Sequence, residues 1–291
     1  MAALASKTVA PAGLPKIDVQ LFEPEALAQA AAQDPRLLLV QVTSADVFAQ
    51  AHPAGAVLVE PAELVAGVPP ATGKLPDAPR IEALLTRIGY SPDRYIVALD
   101  DEGGGWAGRL LWTLDCIGRR DWGYLNGGLH AWHGAGLPLE QGPTAAPSNT
   151  HPVTVTLDRS PIAEQADVLA AIDNDDVQIW DVRSAAEYAG LRRAAARVGH
   201  IPGALNTDWL QLQDPERQFR LIEDLPAFLA QAGLEGDRKQ IITHCQTHHR
   251  SSLSYLVGRL LGFRSIRAYH GSWSEWGNDP TTPITNPAAE A

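Results

Sequence analysis

Two cysteines, Cys116 and Cys245, are all that the 291 residues contain, too few for a secreted disulfide scaffold or a four-thiolate metal site. Cys116 lies in the apolar run LLWTLDCIG, where a buried, inert thiol is expected. Basic charge is also short: 34 Asp and Glu against 23 Lys and Arg leave a formal charge of -11, which repels a polyanion at long range and argues against a nucleic-acid partner. A small anion is a separate matter, because a cleft's own donors outweigh a distant net charge. No stretch approaches the roughly 18 uninterrupted apolar residues of a membrane span. The opening MAALASKTVAPAG has neither the basic region nor the apolar core of a secretory leader. The expectation is a soluble protein of a reducing compartment, the cytoplasm, with no membrane association.

The chain is long enough for one large or two ordinary domains, and 45% of it is hydrophobic. In the first half, apolar strands are expected at Leu37–Val42, Ala56–Glu60 and Tyr95–Asp100. IEALLTRIG between the last two has helical spacing and ends at Gly89. A further helix is expected from about Ala107 to Ile117, and LNGGLHAWHGAG reads as a strand end, a glycine turn and a short helix. Strands alternating with helices indicate an α/β domain with a mainly parallel sheet.

Residues Pro138 to Pro152 break all periodicity, after which the pattern starts again. A strand-like VTVTL (153–157) precedes a helix near Ile162 to Ala171, the strand VQIWDV, a helical AAEY, a longer helix around Glu216 to Ala232, and KQIITHC with the helix after it. Four strings recur in order: LLLVQVTSADVF over VQIWDVRSAAEY, HPAGAVL over HIPGAL, YIVALD over QIITHC, and NGGLHAW near HGSWSEW. A duplicated domain of about 130 to 150 residues follows. The expected division is a first domain over 14–140, a linker over 141–152, a second domain over 153–280 and a tail over 281–291. In this overlay Asp100 takes the place of Cys245.

The sequence IITHCQTHHRSSLSYLVGRLLG carries the chemistry. Ile241 and Ile242 mark a buried strand; Leu253, Leu256, Val257, Leu260 and Leu261 form one helix face closed by Gly262. Residues 245–250 then run from the carboxyl end of a strand to the amino end of a helix, where open α/β sheets place their sites. Free N–H groups converging there can hold an anion, and the same field favours thiolate over thiol at Cys245. Arg250 is expected to offer a fork of donors to an oxyanion. His248 and His249 are expected to add donors, and Gln246 and Thr247 mainly their backbone N–H groups.

Rival readings are weaker. An inert cysteine with solvated histidines does not account for the polar, basic strand-to-helix loop. Zinc on Cys245, His248 and His249 lacks a fourth ligand and a common spacing. A cysteine phosphatase needs Cys-x5-Arg, and here the arginine follows Cys-x4.

Taken together, these strings resemble the rhodanese family, in particular tandem-domain thiosulfate:cyanide sulfurtransferases and related mercaptopyruvate enzymes, over Leu14 to Asn278. DVRSAAEY (181–188), GHIPGALN (199–206) and GSWSEW (271–276) are similar to family motifs, and DDEGGGWAGR (100–109) resembles the inactive domain's counterpart of the catalytic loop. CQTHHR departs from the CRxGxR-like and CGSGVTA-like loops and is similar to a bacterial rhodanese variant with this string. The resemblance implies two tandem rhodanese-like domains, an inactive first and a catalytic second. It implies transfer of sulfane sulfur through a Cys245 persulfide, from thiosulfate or a similar donor to cyanide, a thiol or a sulfur-accepting protein. It implies no cofactor or metal, and Asp181 and Arg183 as support tying the site's edge. Trp180 and Trp209 are candidates to wall the cleft, with core packing the stronger reading for each. The alternatives are another donor such as mercaptopyruvate, or a noncatalytic anion- or protein-binding module.

Overall fold

The computed structural model describes residues 19–147, 152–237 and 239–290. Residues 14–18 of the expected first domain, 148–151 of the expected linker and Ala291 of the tail lie outside them.

The chain forms two compact units. In the first, the strands are β1 (Val19–Phe22), β2 (Leu37–Val42), β3 (Val57–Val59), β4 (Tyr95–Asp100) and β5 (Trp122–Leu125), and the helices are α1 (Pro24–Gln33), α2 (Ala45–Gln50), α3 (Ala78–Arg87), α4 (Gly105–Asp115) and α5 (Gly128–Gly134). All strand pairs of this sheet are parallel, in the order β1-β5-β4-β2-β3. Residues 95–100 are buried without alternation, as a central strand covered on both faces requires. Phe22, Leu27, Leu39, Phe48, Val97, Leu99 and Trp132 pack as one cluster, and Cys116 is buried.

In the second unit, β6 (Ile162–Ala163), β7 (Val177–Asp181), β8 (Leu205–Asn206), β9 (Gln240–His244) and β10 (Ser265–Tyr269) alternate with α6 (Gln165–Ala171), α7 (Ala185–Tyr188), α8 (Leu225–Gln231), α9 (Arg250–Leu260) and α10 (Ser272–Trp276). The sheet is again parallel, in the order β6-β10-β9-β7-β8. Substituting β6 for β1, β10 for β5, β9 for β4, β7 for β2 and β8 for β3 turns one order into the other. The duplication extends to register: Leu99 pairs with Gln41 in the first sheet, and His244 with Asp181 in the second.

Three expected elements come out differently. Val153–Leu157 forms no strand; the N–H groups of Val153 and Val155 go to the side chains of Thr86 and Glu82 on α3, so no ladder is left for them to build. The helix expected near Ile162 begins at Gln165, behind β6, where Glu164 and Asp167 cap each other's backbone. The longer helix expected around Glu216 to Ala232 is broken. Gln213–Asp214 and Arg220–Leu221 pair antiparallel, Gln218 and Phe219 have φ of 54° and 58°, a conformation no right-handed helix accommodates, and helix resumes only at Leu225.

The units are not contiguous in sequence. Gln213–Asp224 belongs with the first, where Leu221 N–H donates to Asn126 Oδ1 at 2.8 Å and Arg220 Nε to Glu23 at 2.9 Å. Val65–Leu75 belongs with the second. Among the described residues no helix is long and apolar enough to cross a membrane.

Candidate active site

Residues 245–249 link β9 to α9, as the strand-then-helix periodicity anticipates. The loop is fastened from below by α10: Trp273 N–H donates to Cys245 O and Ser274 N–H to Gln246 O, both at 2.9 Å. Cys245 N–H donates to Ser272 Oγ at 3.3 Å. His248 and Ser272 both adopt left-handed φ, 56° and 53°. Such a conformation is costly for a side chain with a Cβ and persists where surrounding contacts enforce it.

Cys245 is buried. Ser251 Oγ, in the first turn of α9, donates to Cys245 Sγ at 3.4 Å, and the backbone N–H groups of Ser251 and Thr247 favour its thiolate form. Burial pushes the thiol pKa up, but the Arg250 charge, the Ser251 hydroxyl and these N–H groups outweigh it and hold the pKa below the ordinary thiol value. The sulfur therefore has the surroundings of an anion despite lying out of water.

The other loop residues divide. Gln246 Nε2 donates to Ala194 O at 2.8 Å, away from the sulfur. His248 is buried with Nδ1 2.8 Å from Ser251 Oγ, one step behind Sγ, whereas the ring of His249 tilts against half-buried Trp209 with centroids 5.7 Å apart. Trp180 is core: it is fully buried and its Nε1 donates to Thr207 Oγ1 at 2.7 Å.

Arg250 makes a two-pronged ion pair. Its two terminal nitrogens donate to the two oxygens of Glu187 at 2.7 and 2.9 Å. Burial opposes ionisation of Glu187, yet Arg250 and Ser184 bring its pKa down to about 2. Desolvation likewise works against the Arg250 charge, and Glu187 and the Cys245 sulfur outweigh it, so Arg250 stays charged. Both terminal nitrogens of the guanidinium are thereby committed to Glu187, and it acts on the Cys245 sulfur through its charge. Glu187 was not singled out from sequence. The Ser184-x-x-Glu187 spacing does read as a capping box, and that box forms, but the same carboxylate also grips a residue 63 positions away.

Asp181 and Arg183 are 1% exposed or less and joined at 2.6 Å, a buried pair rather than a surface one. Arg183 also donates to Gly199 O at 2.9 Å and lies 4.2 Å over the ring of Trp273. Burial works against the Asp181 carboxylate, and His244 and Arg183 outweigh it, so its pKa falls below the ordinary value. Burial brings the neighbouring His244 imidazole down to about 4, neutral at physiological pH. This network lies at the end of β7, with His244 directly before Cys245. Ser251 and Ser272, also missed from sequence, show no periodic signal that separates them from other polar helix residues.

The equivalent place in the first unit is occupied by Asp100. Its carboxylate accepts N–H groups from Gly104 at 2.8 and 3.1 Å, Ala107 at 2.9 Å and Glu102 at 3.3 Å. The donors come from the loop and first turn of α4, as those on Cys245 come from its own loop and α9. The first unit thus fills its cradle with its own side chain and presents no nucleophile there.

The model of the rhodanese-like domain matches residues 23–135 and 164–279. A thiosulfate sulfurtransferase of Azotobacter vinelandii is 44% identical over 264 residues, 91% of this chain and 96% of the relative. One of Pseudomonas aeruginosa is 44% identical over 250 residues, 86% and 91% of the two chains. Among solved structures, an anaerobic ergothioneine biosynthesis enzyme from Chlorobium limicola superposes with a TM-score of 0.81 at 18% identity, over 92% of this chain and 70% of that one. That likeness is one of fold.

Proposed function

Since the chain belongs to the rhodanese family, we propose that it is a thiosulfate:cyanide-type sulfurtransferase of the bacterial CQTHHR kind, with an inactive first domain and a catalytic second one that works through a persulfide on Cys245. The observation that carries the reading is the sulfur's surroundings: two backbone N–H groups, the Ser251 hydroxyl and the Arg250 charge around a buried Sγ.

The Cys245 thiolate attacks the outer sulfur of thiosulfate. A new S–S bond forms, the old one breaks, and sulfite departs with the electron pair, leaving a terminal persulfide anion. The charge on the attacking sulfur passes to the terminal one, and donors already aimed at the loop stabilise it without reorganising. Cyanide then attacks the terminal sulfur, thiocyanate leaves, and the thiolate returns. A thiol or a sulfur-accepting protein can replace cyanide in the same step. The donor leaves before the acceptor attacks, so the kinetics are ping-pong. The Glu187 pair holds Arg250 near the sulfur in both half-reactions, while Asp181 and Arg183 brace the site and take no part in bond making.

Intact-protein mass after brief incubation with thiosulfate, then with cyanide, tests this. The expected result is a gain of one sulfur atom that cyanide removes and that the Cys245→Ser variant never acquires. Sulfur gained by that variant would sink the mechanism. A reduced wild-type protein that gains sulfur from mercaptopyruvate and none from thiosulfate would reassign the donor.

A further inference from the structure

The segment Val65–Leu75 comes from the first half of the sequence yet packs in the second unit. It closes on itself: Ala66 N–H donates to Lys74 O at 2.8 Å and Gly67 N–H to Thr72 O at 2.9 Å. Three consecutive residues then anchor this arm around the nucleophile loop. Lys74 Nζ lies 2.6 Å from Glu275 Oε1 on α10. Leu75 N–H donates to His270 Nδ1 at 3.1 Å. Between the arm and the loop itself stands Gly73. A Cβ on Gly73 would fall 1.7 Å from the carbonyl oxygen of Thr247 and 2.6 Å from its carbonyl carbon.

That contact is with backbone, which cannot swing aside as a side-chain end can. The backbone of Gly73 is not in the left-handed region, so glycine supplies room here rather than conformational freedom. Thr247 is one of the two residues whose backbone N–H favours the Cys245 thiolate, and the next residue, His248, has left-handed φ. The Thr247 carbonyl that meets the arm and the N–H that favours the thiolate share one Cα, so displacing one tilts the other.

We propose that Gly73 is a positioning residue for the sulfur-transfer loop, its bare Cα letting the arm rest against Thr247 and hold that residue's N–H on Cys245. The arm thereby makes the nucleophile's environment depend on chain remote from it in sequence. The functional consequence rests on the persulfide reading above; the effect on the thiol does not.

The test is the pH dependence of Cys245 alkylation by iodoacetamide in the full chain, followed by intact mass, with sulfur loading from thiosulfate measured in parallel. Adding a methyl in Gly73→Ala forces the Thr247 carbonyl to move by roughly 1 Å or more to reach ordinary contact. The expected outcome is an alkylation profile moved up by about one pH unit, hence about tenfold slower reaction at neutral pH, with unchanged far-UV circular dichroism. The rate of sulfur loading at neutral pH is expected to fall by a similar factor. A profile that coincides with wild type overturns the proposal. Should Gly73→Ala not fold, Lys74→Met, which unpins the arm and adds no clash, is expected to move the profile in the same direction by a smaller amount, and no movement there overturns it equally. A wild-type protein that alkylates normally but gains no sulfur from thiosulfate removes the function reading and leaves the alkylation comparison to decide the role of Gly73.

Discussion

Asp100 follows Leu99 and Cys245 follows His244, the two residues that hold equivalent registers in the duplicated sheets, and backbone N–H groups of the loop and helix after each strand act on both side chains. One cradle holds a carboxylate; the other holds a thiol.

The Asp100 carboxylate is fully buried, and desolvation outweighs its N–H donors and raises its pKa to about 6 from the ordinary 3.8. Because the folded-state value is the higher one, this group's stabilising contribution is complete below the unfolded value and is lost as pH rises through about 6. Lowering the pH from 7 to 4 is expected to stabilise wild type relative to Asp100→Asn by up to about 3 kcal/mol. Thermal melts of both proteins across that range check it; a constant gap between them would show that Asp100 titrates normally.

Glu187 behaves oppositely. Its pKa is about 2, below the ordinary 4.5, so its contribution is present above 4.5 and drains away as pH falls toward 2. Glu187→Gln takes from the largely buried Arg250 the carboxylate it is hydrogen-bonded to and is expected to cost on the order of 2–3 kcal/mol at pH 7, with the deficit shrinking at pH 3. Urea midpoints at the two pH values decide; an equal loss at both would mean that packing, not charge, is what the substitution removes.

Ser251→Ala deletes the hydroxyl that donates to Cys245 Sγ. A hydrogen bond to an anion is worth about 1.5 kcal/mol or more, so the thiol pKa is expected to rise by about one unit and neutral-pH alkylation to slow about tenfold. An unshifted profile would assign thiolate stabilisation to the Arg250 charge and the backbone donors alone.

Breaking the Asp181–Arg183 pair from one side strands a buried charge. Asp181→Ala is expected to lose about 3–5 kcal/mol of stability, visible as a large fall in the denaturant midpoint. A loss below about 1 kcal/mol would place this pair with ordinary surface bridges and remove its bracing role.

What the sequence determined by itself was local and repetitive. Buried runs such as YIVALD and QIITHC announced central strands, helical spacing after Cys245 announced α9, and the recurrence of four strings carried the duplication down to the exchange of Asp100 for Cys245. Hydrophobic period and repeat order depend only on neighbours along the chain, so they can be read without coordinates. The tertiary structure decided the pairings that chain proximity does not specify. Arg250, expected from sequence to offer its fork to an oxyanion, is gripped by Glu187 across 63 residues. Gln213–Leu221 left an expected helix to pair as a hairpin in the first unit, and Gly73 came to rest against Thr247. Each of these depends on burial, charge and steric room that exist only once the sheets have brought distant segments together, so no local pattern encodes them.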